Sequence, residues 1–479
     1  MSETNPPFVP SPPGLLIAVT GGPGSGKTRL LAELAAHRLA QGQRVEGVLA
    51  IAGQRRAPHE GANEYWLRIL GTEQEFSWVV RNEAAIPPYR FEPEGERKLR
   101  LWADRLRAQP SPPLLVLDEF GQGEAQGKGL LPLWPTLAAA APDIVVVAVR
   151  SGLVESTEAV LGRRFDLRLE ADAPGARERL HRACEDFGEW TRLGLFGGAA
   201  GGLELTLGSM LHAARIPLRG LAMSALQAGM MVFAGRGLSQ PGRVVWVPFI
   251  SGGLKALSPA GNRVRPMIAI VMQGLLFGTT VQALGWNVFA LGLGGALVGA
   301  WAALQGFFLQ YLLLGSEMVR AYDTVVLWLA DKWHVTAPGL PWLVGAWTAL
   351  HAVVVAGVTL AAWRLQQPPA RLQRLLETGS ALAAPPVSPV HPAWRRLREF
   401  GHWQFWLPLL VVATILMVSG SSWATVAWLV LRFVAVGCLL MAVVSLLRPA
   451  RWAEQLRRRG WWGPAVAFSG ALRRSEPTK

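Results

Sequence analysis

Three stretches of this chain run without a formal charge for longer than a water-exposed element tolerates: Pro266–Ser316 (51 residues), Trp333–Trp363 (31) and Gly401–Leu431 (31). A helix needs about 20 apolar residues to cross the hydrocarbon core of a bilayer. The first run is long enough for two spans, near 266–288 and 290–314, and the second for one, near 338–362. The third, continued by Phe433–Leu447, predicts a hairpin near 404–420 and 424–446. Residues 194–265 hold weaker apolar stretches, interrupted by Glu204, Arg215, Arg219 and Lys255.

The charge distribution agrees with this division. The net charge of +14 over 479 residues is the sum of two unlike parts. Residues 1–193 carry 23 basic and 25 acidic side chains, whereas residues 194–479 carry 24 basic and 8 acidic ones. The second part also holds 16 of the 21 tryptophans. A basic excess inside the more apolar part suits cytoplasmic loops and interfacial aromatic belts, not a nucleic-acid face. The arginines cluster in 364–398 and 448–474, which places both segments on the cytoplasmic side and in reach of anionic lipid. The first 14 residues lack a basic n-region and an apolar core, so no cleavable signal is expected and the N-terminal part is assigned to the cytoplasm. Three spans between 266 and 362 then require an odd number in 194–265, three or one. Three gives eight in all; Arg263 and Arg265 fit this arrangement least. Only Cys184 and Cys438 are present, which excludes a disulfide scaffold and a cysteine-based zinc site.

Before residue 173 the pattern is that of a soluble α/β domain. Short apolar strands at 14–22, 44–51, 114–117 and 143–149 alternate with helical stretches at 27–41 and 93–108, predicting a parallel sheet with helices on both faces. Between the first strand and helix stands Gly21-Gly22-Pro23-Gly24-Ser25-Gly26-Lys27-Thr28, a full match to G-x-x-x-x-G-K-[ST] in the strand–loop–helix context that a P-loop needs. Glycines there let successive N–H groups turn toward phosphate oxygens. Lys27 is expected to reach the β and γ phosphates of ATP or GTP, and Thr28 to ligate Mg2+. The run Leu114–Leu117 ends in Asp118-Glu119. Asp118 is the candidate for the Mg2+ shell and Glu119 for polarising the attacking water. Arg55 and Arg56 follow a strand end and read either as a solvated loop pair or as phosphate-facing cations, and His59 and His181 read as surface residues.

VTGGPGSGKT, VEGVLA, VLDEFGQGE and IVVVAVR together resemble the small nucleoside-triphosphatase family with a DEIGxME-type block after its Walker B strand. The resemblance covers roughly 14–172 and implies a P-loop NTPase fold and nucleotide hydrolysis. It adds Glu124 and Arg150 as candidate site residues. Gly123 stands where the family usually has Met, and residues 53–95 do not align. The absence of an LSGGQ-type signature argues against an ABC-type ATPase.

The resulting expectation is an α/β P-loop NTPase domain fused to an all-α polytopic membrane domain. It comprises an NTPase domain (1–172), a connector (173–193), a bundle of about six helices (194–366), a Pro-rich linker (367–393) and a hairpin with a basic cytoplasmic tail (394–479). Small residues Ala290, Gly294, Gly295, Gly299 and Ala303 recur at helical spacing, as close helix packing in lipid requires. Gln273, Asn287, Gln305 and Gln310 are uncharged polar groups in apolar runs, read either as interhelical glue or as solute contacts. Residues 190–366 resemble a substrate-binding subunit of an energy-coupling factor vitamin transporter, and 430–473 resemble part of its coupling subunit. That resemblance implies an inner-membrane protein that couples or regulates uptake of a vitamin-like small solute by nucleotide hydrolysis. The alternative is a membrane-anchored nucleoside triphosphatase, or nucleotide or nucleoside kinase, without transport. One P-loop per chain leaves room for a homo-oligomer.

Overall fold

The computed structural model describes residues 14–51, 62–72, 74–82, 89–120, 122–125, 127–213, 218–256, 264–333, 339–370, 372–373, 376, 403–446 and 452–474. The chain divides into two compact units, one formed by Met1–Gly188 with Leu456–Val466 and the other by Glu189–Gln455 with Ala467–Lys479.

The first unit is a mixed α/β domain. Its elements begin with β1 (Leu15–Gly21), α1 (Lys27–Ala40), β2 (Val45–Ile51), β3 (Ala62–Ile69), β4 (Gln74–Asn82) and β5 (Tyr89–Phe91). There follow α2 (Pro93–Ala108), β6 (Leu114–Phe120), α3 (Gln122–Ala125), α4 (Trp134–Ala139), β7 (Ile144–Arg150), α5 (Val154–Leu161) and β8 (Leu167–Glu170). The eight strands form one sheet in the order β5-β4-β3-β2-β6-β7-β1-β8. From β2 to β8 all neighbours pair in parallel. β3, β4 and β5 add an antiparallel edge beyond β2, in the region where the sequence pattern was unreadable.

The strands are apolar on both faces because helices cover both. On one face Leu16, Leu115 and Val147 pack with α2, α4 and α5; on the other Ile17, Val116 and Val146 pack with α1 and the helix after β8. α2 shows why such helices form. Pro93 occupies its first turn, Glu94 and Glu96 face the positive end of its dipole, and Leu99, Trp102, Ala103 and Leu106 recur on its buried face. The helix after β8, α6 (Ala176–Ala213), runs unbroken through the stretch expected to be a connector.

The opening of β1 is held by a buried ionic network. The Leu16 N–H donates to Asp166 Oδ2 at 2.9 Å, and Arg163 Nη2 donates to the same oxygen at 2.5 Å and to the Gly14 carbonyl at 2.7 Å. The other carboxylate oxygen lies 2.8 Å from Nε of Arg457. Burial disfavours the charge on Arg163, and Asp166 opposes that effect. Val466 and Trp462 complete the α1–α6 face of the core, so the first unit is closed by residues from the far end of the chain.

The second unit is all-helical. It continues α6 and adds α7 (Arg219–Gly235), α8 (Trp246–Ala256), α9 (Val264–Leu284), α10 (Val288–Leu314), α11 (Glu317–Trp333), α12 (Leu340–Arg364), α13 (Trp403–Val418) and α14 (Trp423–Leu446). Two helices follow near the C-terminus, α15 (Trp452–Arg458) and α16 (Trp462–Arg474), the latter continuing past Val466 into this unit. Among the described residues three helices are long and apolar enough to cross a membrane: Pro266–Leu284, Val288–Leu314 and Leu340–Arg364. Their outward surfaces are apolar, with Phe289 70%, Val353 71% and Trp342 79% exposed, a surface compatible with membrane association.

α10 and α12 approach to backbone distance. A Cβ on Gly295 would lie 2.4 Å from Thr359 Oγ1, and one on Gly299 2.2 Å from the His351 carbonyl. Two arginines in the apolar region satisfy helix ends. Arg236 donates to the Ala362 and Trp363 carbonyls at 2.9 and 2.5 Å, and Arg432 to the Leu312 carbonyl at 3.3 Å. Each cation sits at the negative end of a helix dipole. Gln273 donates to Ser224 Oγ at 2.8 Å and so links α9 to α7, while Asn287 caps the start of α10 by accepting from Ala290 N–H at 2.9 Å. Gln305 is half-buried and Gln310 exposed. Arg55, Arg56, His59 and Arg263 lie outside the described residues, as does most of the Pro-rich linker.

Replacing Asp166 by Asn leaves two guanidinium groups without their countercharge, and the expected loss is about 3 kcal/mol or more. The check is urea unfolding of the full chain, with faster amide exchange over Leu15–Gly21 as the local signature. A second expectation concerns pH. His181 packs edge-on against His37 of α1 with ring centroids 4.7 Å apart, not free on the surface as its isolated position suggested. Burial lowers the His181 pKa, helped by His37, Arg177 and Arg38 and opposed by Glu185. A lowered histidine contributes stability above its ordinary value that disappears as pH falls through the lowered one. Thermal stability is therefore expected to drop on acidification from pH 7, and His181→Gln to flatten that drop in melts across pH 5–7.

Candidate functional site

In an open parallel sheet ligands bind beyond the carboxyl ends of the strands, where the connections change direction. That place falls here at β1. Its connection, α1, packs on one face, while α5, which follows the adjacent β7, packs on the other. The carboxyl ends of β1, β7, β6 and β2 share one edge, with Gly21 paired to Arg150 across β1 and β7.

The loop Gly21–Thr28 occupies this edge. Gly24 (φ +74°) and Gly26 (φ +86°) adopt the left-handed conformation that side-chain-bearing residues avoid, and Gly26 directly precedes α1. Lys27 turns back into the loop. Its Nζ donates to the Gly21 carbonyl at 2.9 Å, the Gly22 carbonyl at 2.7 Å and Ser25 Oγ at 3.3 Å. Ser25 lies directly over Gly21, where a Cβ would meet its hydroxyl at 2.2 Å. Gly22, Pro23 and Gly24 are exposed, and Thr28 is half-buried on the first turn of α1. The first turn of α1 carries no acidic side chain to oppose an anion.

Asp118 is buried, and its Oδ2 accepts from the Ala50 N–H of β2 at 3.1 Å. The pairing of β6 with β7 shifts between Leu117 and Phe120, an irregularity that encloses Asp118 and Glu119. Such irregularities re-aim side chains at strand ends. The backbone of Glu119 belongs to β6; its side chain lies outside the described part of the structure. Strand β7 separates β1 from β6, so about two strand spacings, or 10 Å, lie between the glycine loop and Asp118.

The remaining candidates take different positions. Arg150 is exposed at the end of β7, beside Gly21 in register. Glu124, on the short helix α3, is buried. Its Oε1 accepts from the Leu130 N–H at 3.2 Å and occupies the space where a Cβ on Gly129 would stand. Gly123 faces the ring of Phe91, which a Cβ would meet at 2.9 Å. Phe91, from the antiparallel edge, thus lies against the backbone at Gly123, just beyond β6, where the sequence resemblance expects a methionine. The motif reading missed this packing, and the unexplained Gly123 was its only signal.

Among the described residues no group of three or more His, Cys, Asp or Glu side chains is placed to hold a metal. Mg2+ bound with a nucleotide does not need such a cage, since it keeps several waters and takes one or two protein oxygens besides the phosphates.

Residues 16–173 match the model of a protein family of unknown function, DUF2478. No curated protein matches the chain. No solved structure matches it either.

The geometry of the loop and the Phe91 contact are separately testable. Gly26→Ala is expected to cost about 1–2 kcal/mol through its left-handed backbone. Gly123→Ala is expected to cost about 1–3 kcal/mol by overpacking Phe91. Urea midpoints check both, and Phe91→Leu should recover part of the Gly123→Ala loss but none of the Gly26→Ala loss.

Proposed function

We propose that residues 14–172 form a P-loop nucleoside-triphosphatase domain that binds ATP or GTP with Mg2+. We further propose that it drives or regulates uptake of a small, vitamin-like solute through the helical unit, in a bacterial-type inner membrane with the nucleotide domain and C-terminus cytoplasmic. The observation that carries the nucleotide reading is the loop itself. Two left-handed glycines and a lysine folded back into the loop stand at the carboxyl end of a central strand, on the sheet edge that also holds buried Asp118.

On this reading the phosphates take the place of the Gly21 and Gly22 carbonyls as partners of Lys27. The backbone N–H groups of Gly22–Lys27 and the N-terminus of α1 add fixed positive dipoles. The bound metal–nucleotide supplies the electrophilic γ-phosphorus. Thr28 Oγ1 and the Asp118 carboxylate would hold the Mg2+, which would offset phosphate charge, and Glu119 would take the proton of the attacking water as the bond to the β-phosphate oxygen breaks. Arg150, exposed at the end of β7 and in register with Gly21, would meet charge at the phosphates.

Two features support solute handling over simple anchoring. The helical unit contains more apolar helix than an anchor requires. It also buries polar side chains, among them Gln227, Ser251 and Lys255, which apolar anchoring does not need.

With the full chain in nanodiscs, Lys27→Ala is expected to weaken binding of labelled ATP and GTP at least about ten-fold, the size of one charge-assisted contact. Asp118→Asn should remove the Mg2+ dependence of binding. Glu119→Gln should keep binding and lower turnover about 10²–10⁴-fold. Unchanged nucleotide binding in Lys27→Ala overturns the nucleotide site. If Lys27→Ala abolishes hydrolysis yet leaves vitamin uptake into proteoliposomes intact, energy coupling is wrong and the anchored triphosphatase or kinase reading takes its place.

A further inference from the structure

We propose that Lys255, Ser251 and Glu204 form a recognition site, inside the helical unit, for the carboxylate group of a small solute. The inference rests on the reading that this unit handles a solute, and it names the chemical class.

α8 is enclosed on several sides. Gly197 and Gly201 of α6 take Ile250 and Leu254 of α8, with a Cβ at either glycine 2.7 Å from those side chains. Gly252 faces Val271 of α9, and Gly253 faces Phe468 of α16. Ser251 is fully buried, and Lys255, one helical turn further on the same face, is only 6% exposed. An ammonium in such a place carries a desolvation cost that a close, well-directed partner normally offsets.

Among the described residues Lys255 has only a loose ionic partner, Glu204. Its Nζ lies 3.7 Å from Glu204 Oε1, beyond hydrogen-bond reach, and its nearer contact is the Glu204 main-chain carbonyl at 3.2 Å. A pair kept only to pin two helices together would close to about 2.8 Å. The ammonium therefore retains donor capacity. The hydroxyl of Ser251 finds no hydrogen-bond partner among the described residues. The Ser251 hydroxyl lacks an acceptor among the described residues and Lys255 holds only the Glu204 carbonyl and a long ion pair, so a carboxylate supplies an acceptor to the first and a closer one to the second while matching the charge of Lys255. Glu204 is the resident countercharge, close enough to keep Lys255 charged and far enough to be displaced.

The test is saturation-transfer NMR on the full chain in nanodiscs, with acetate as the minimal carboxylate probe at constant ionic strength. Saturable acetate binding is expected. Lys255→Met should abolish it, Ser251→Ala should weaken it about ten-fold as the loss of one hydrogen bond to a charged group, and Glu204→Gln should tighten it by freeing the ammonium. The tightening is a readout that a merely structural pair would not produce. Should Lys255→Met fail to fold, Ser251→Ala and Glu204→Gln still decide the matter. Absence of saturable binding overturns the proposal, as does equal displacement by chloride, or saturation by methylammonium that Glu204→Gln removes. Lys27→Ala should leave the acetate signal unchanged. Acetate binding with unaltered nucleotide binding in Lys27→Ala would sink the nucleotide reading alone.

Discussion

Strand β1 is paired along its length to β7 and at four residues to β8, with every side chain from Leu15 to Gly21 buried. A strand bonded on both edges and covered on both faces has no freedom to slip, since a one-residue shift would invert every side chain. This constraint decides where the glycine loop begins. The chain must leave the sheet at Gly21, turn within five residues and enter α1 at Lys27. Only a glycine-rich loop makes that turn without strain, which is why Gly24 and Gly26 take left-handed angles there. The loop's geometry follows from the sheet and is not an independent feature.

The same strand depends on residues far away in the chain. Its first N–H groups have no neighbouring strand end to serve them all, and Asp166 supplies the acceptor for Leu16. A buried carboxylate needs cations, and it takes one from its own loop, Arg163, and one from the C-terminal segment, Arg457. Removing either leaves charge uncompensated in a water-poor place. The α/β unit is thus a discontinuous domain, in which Leu456–Val466 contributes Val466 and Trp462 to the core that α1 also lines. The basic residue at 457 has a partner and a place, beyond any general attraction to lipid.

What could be read from the sequence depended on whether the determining interaction is local. The G-x-x-x-x-G-K-T run specifies its own backbone, and the charge-free stretches meet a length criterion that needs no partner, so both were legible. β1, α1, α2, β6 and β7 came within a residue or a few of their observed limits, because their period or apolar run is self-contained. β3, β4 and β5 were not legible, because an antiparallel edge draws its stability from cross-strand pairs that a single strand does not display. Glu124 entered as a candidate only through the resemblance of its DEFGQGE block. Its carboxylate accepts from the Leu130 N–H, a contact set by backbone geometry that composition does not reveal. Arg457 gave no signal at all, since nothing near it in the chain distinguishes it from its basic neighbours.

The helical unit obeys the same accounting in a different medium. Helices packed through glycine, as α10 and α12 are, gain van der Waals contact but offer no side chains to satisfy polar groups. Each polar atom buried there must find a partner in the bundle or else be maintained for a purpose. Arg236 and Arg432 find helix carbonyls, Gln273 finds Ser224, Asn287 finds a helix start, and Thr359 donates to its own helix at Val355. Ser251 Oγ finds no partner among the described residues, as is also true of Gln227 Nε2, Gln305 Oε1 and the Trp286 and Trp301 indoles, but only beside Ser251 does the same helix, one turn on, carry a buried lysine with a long ion-pair separation, Lys255–Glu204. An unpartnered hydroxyl and a loosely paired ammonium on one helical face are more informative than either alone. Packing would have tolerated Ala and Met at these positions, and in an apolar bundle those residues carry no desolvation cost.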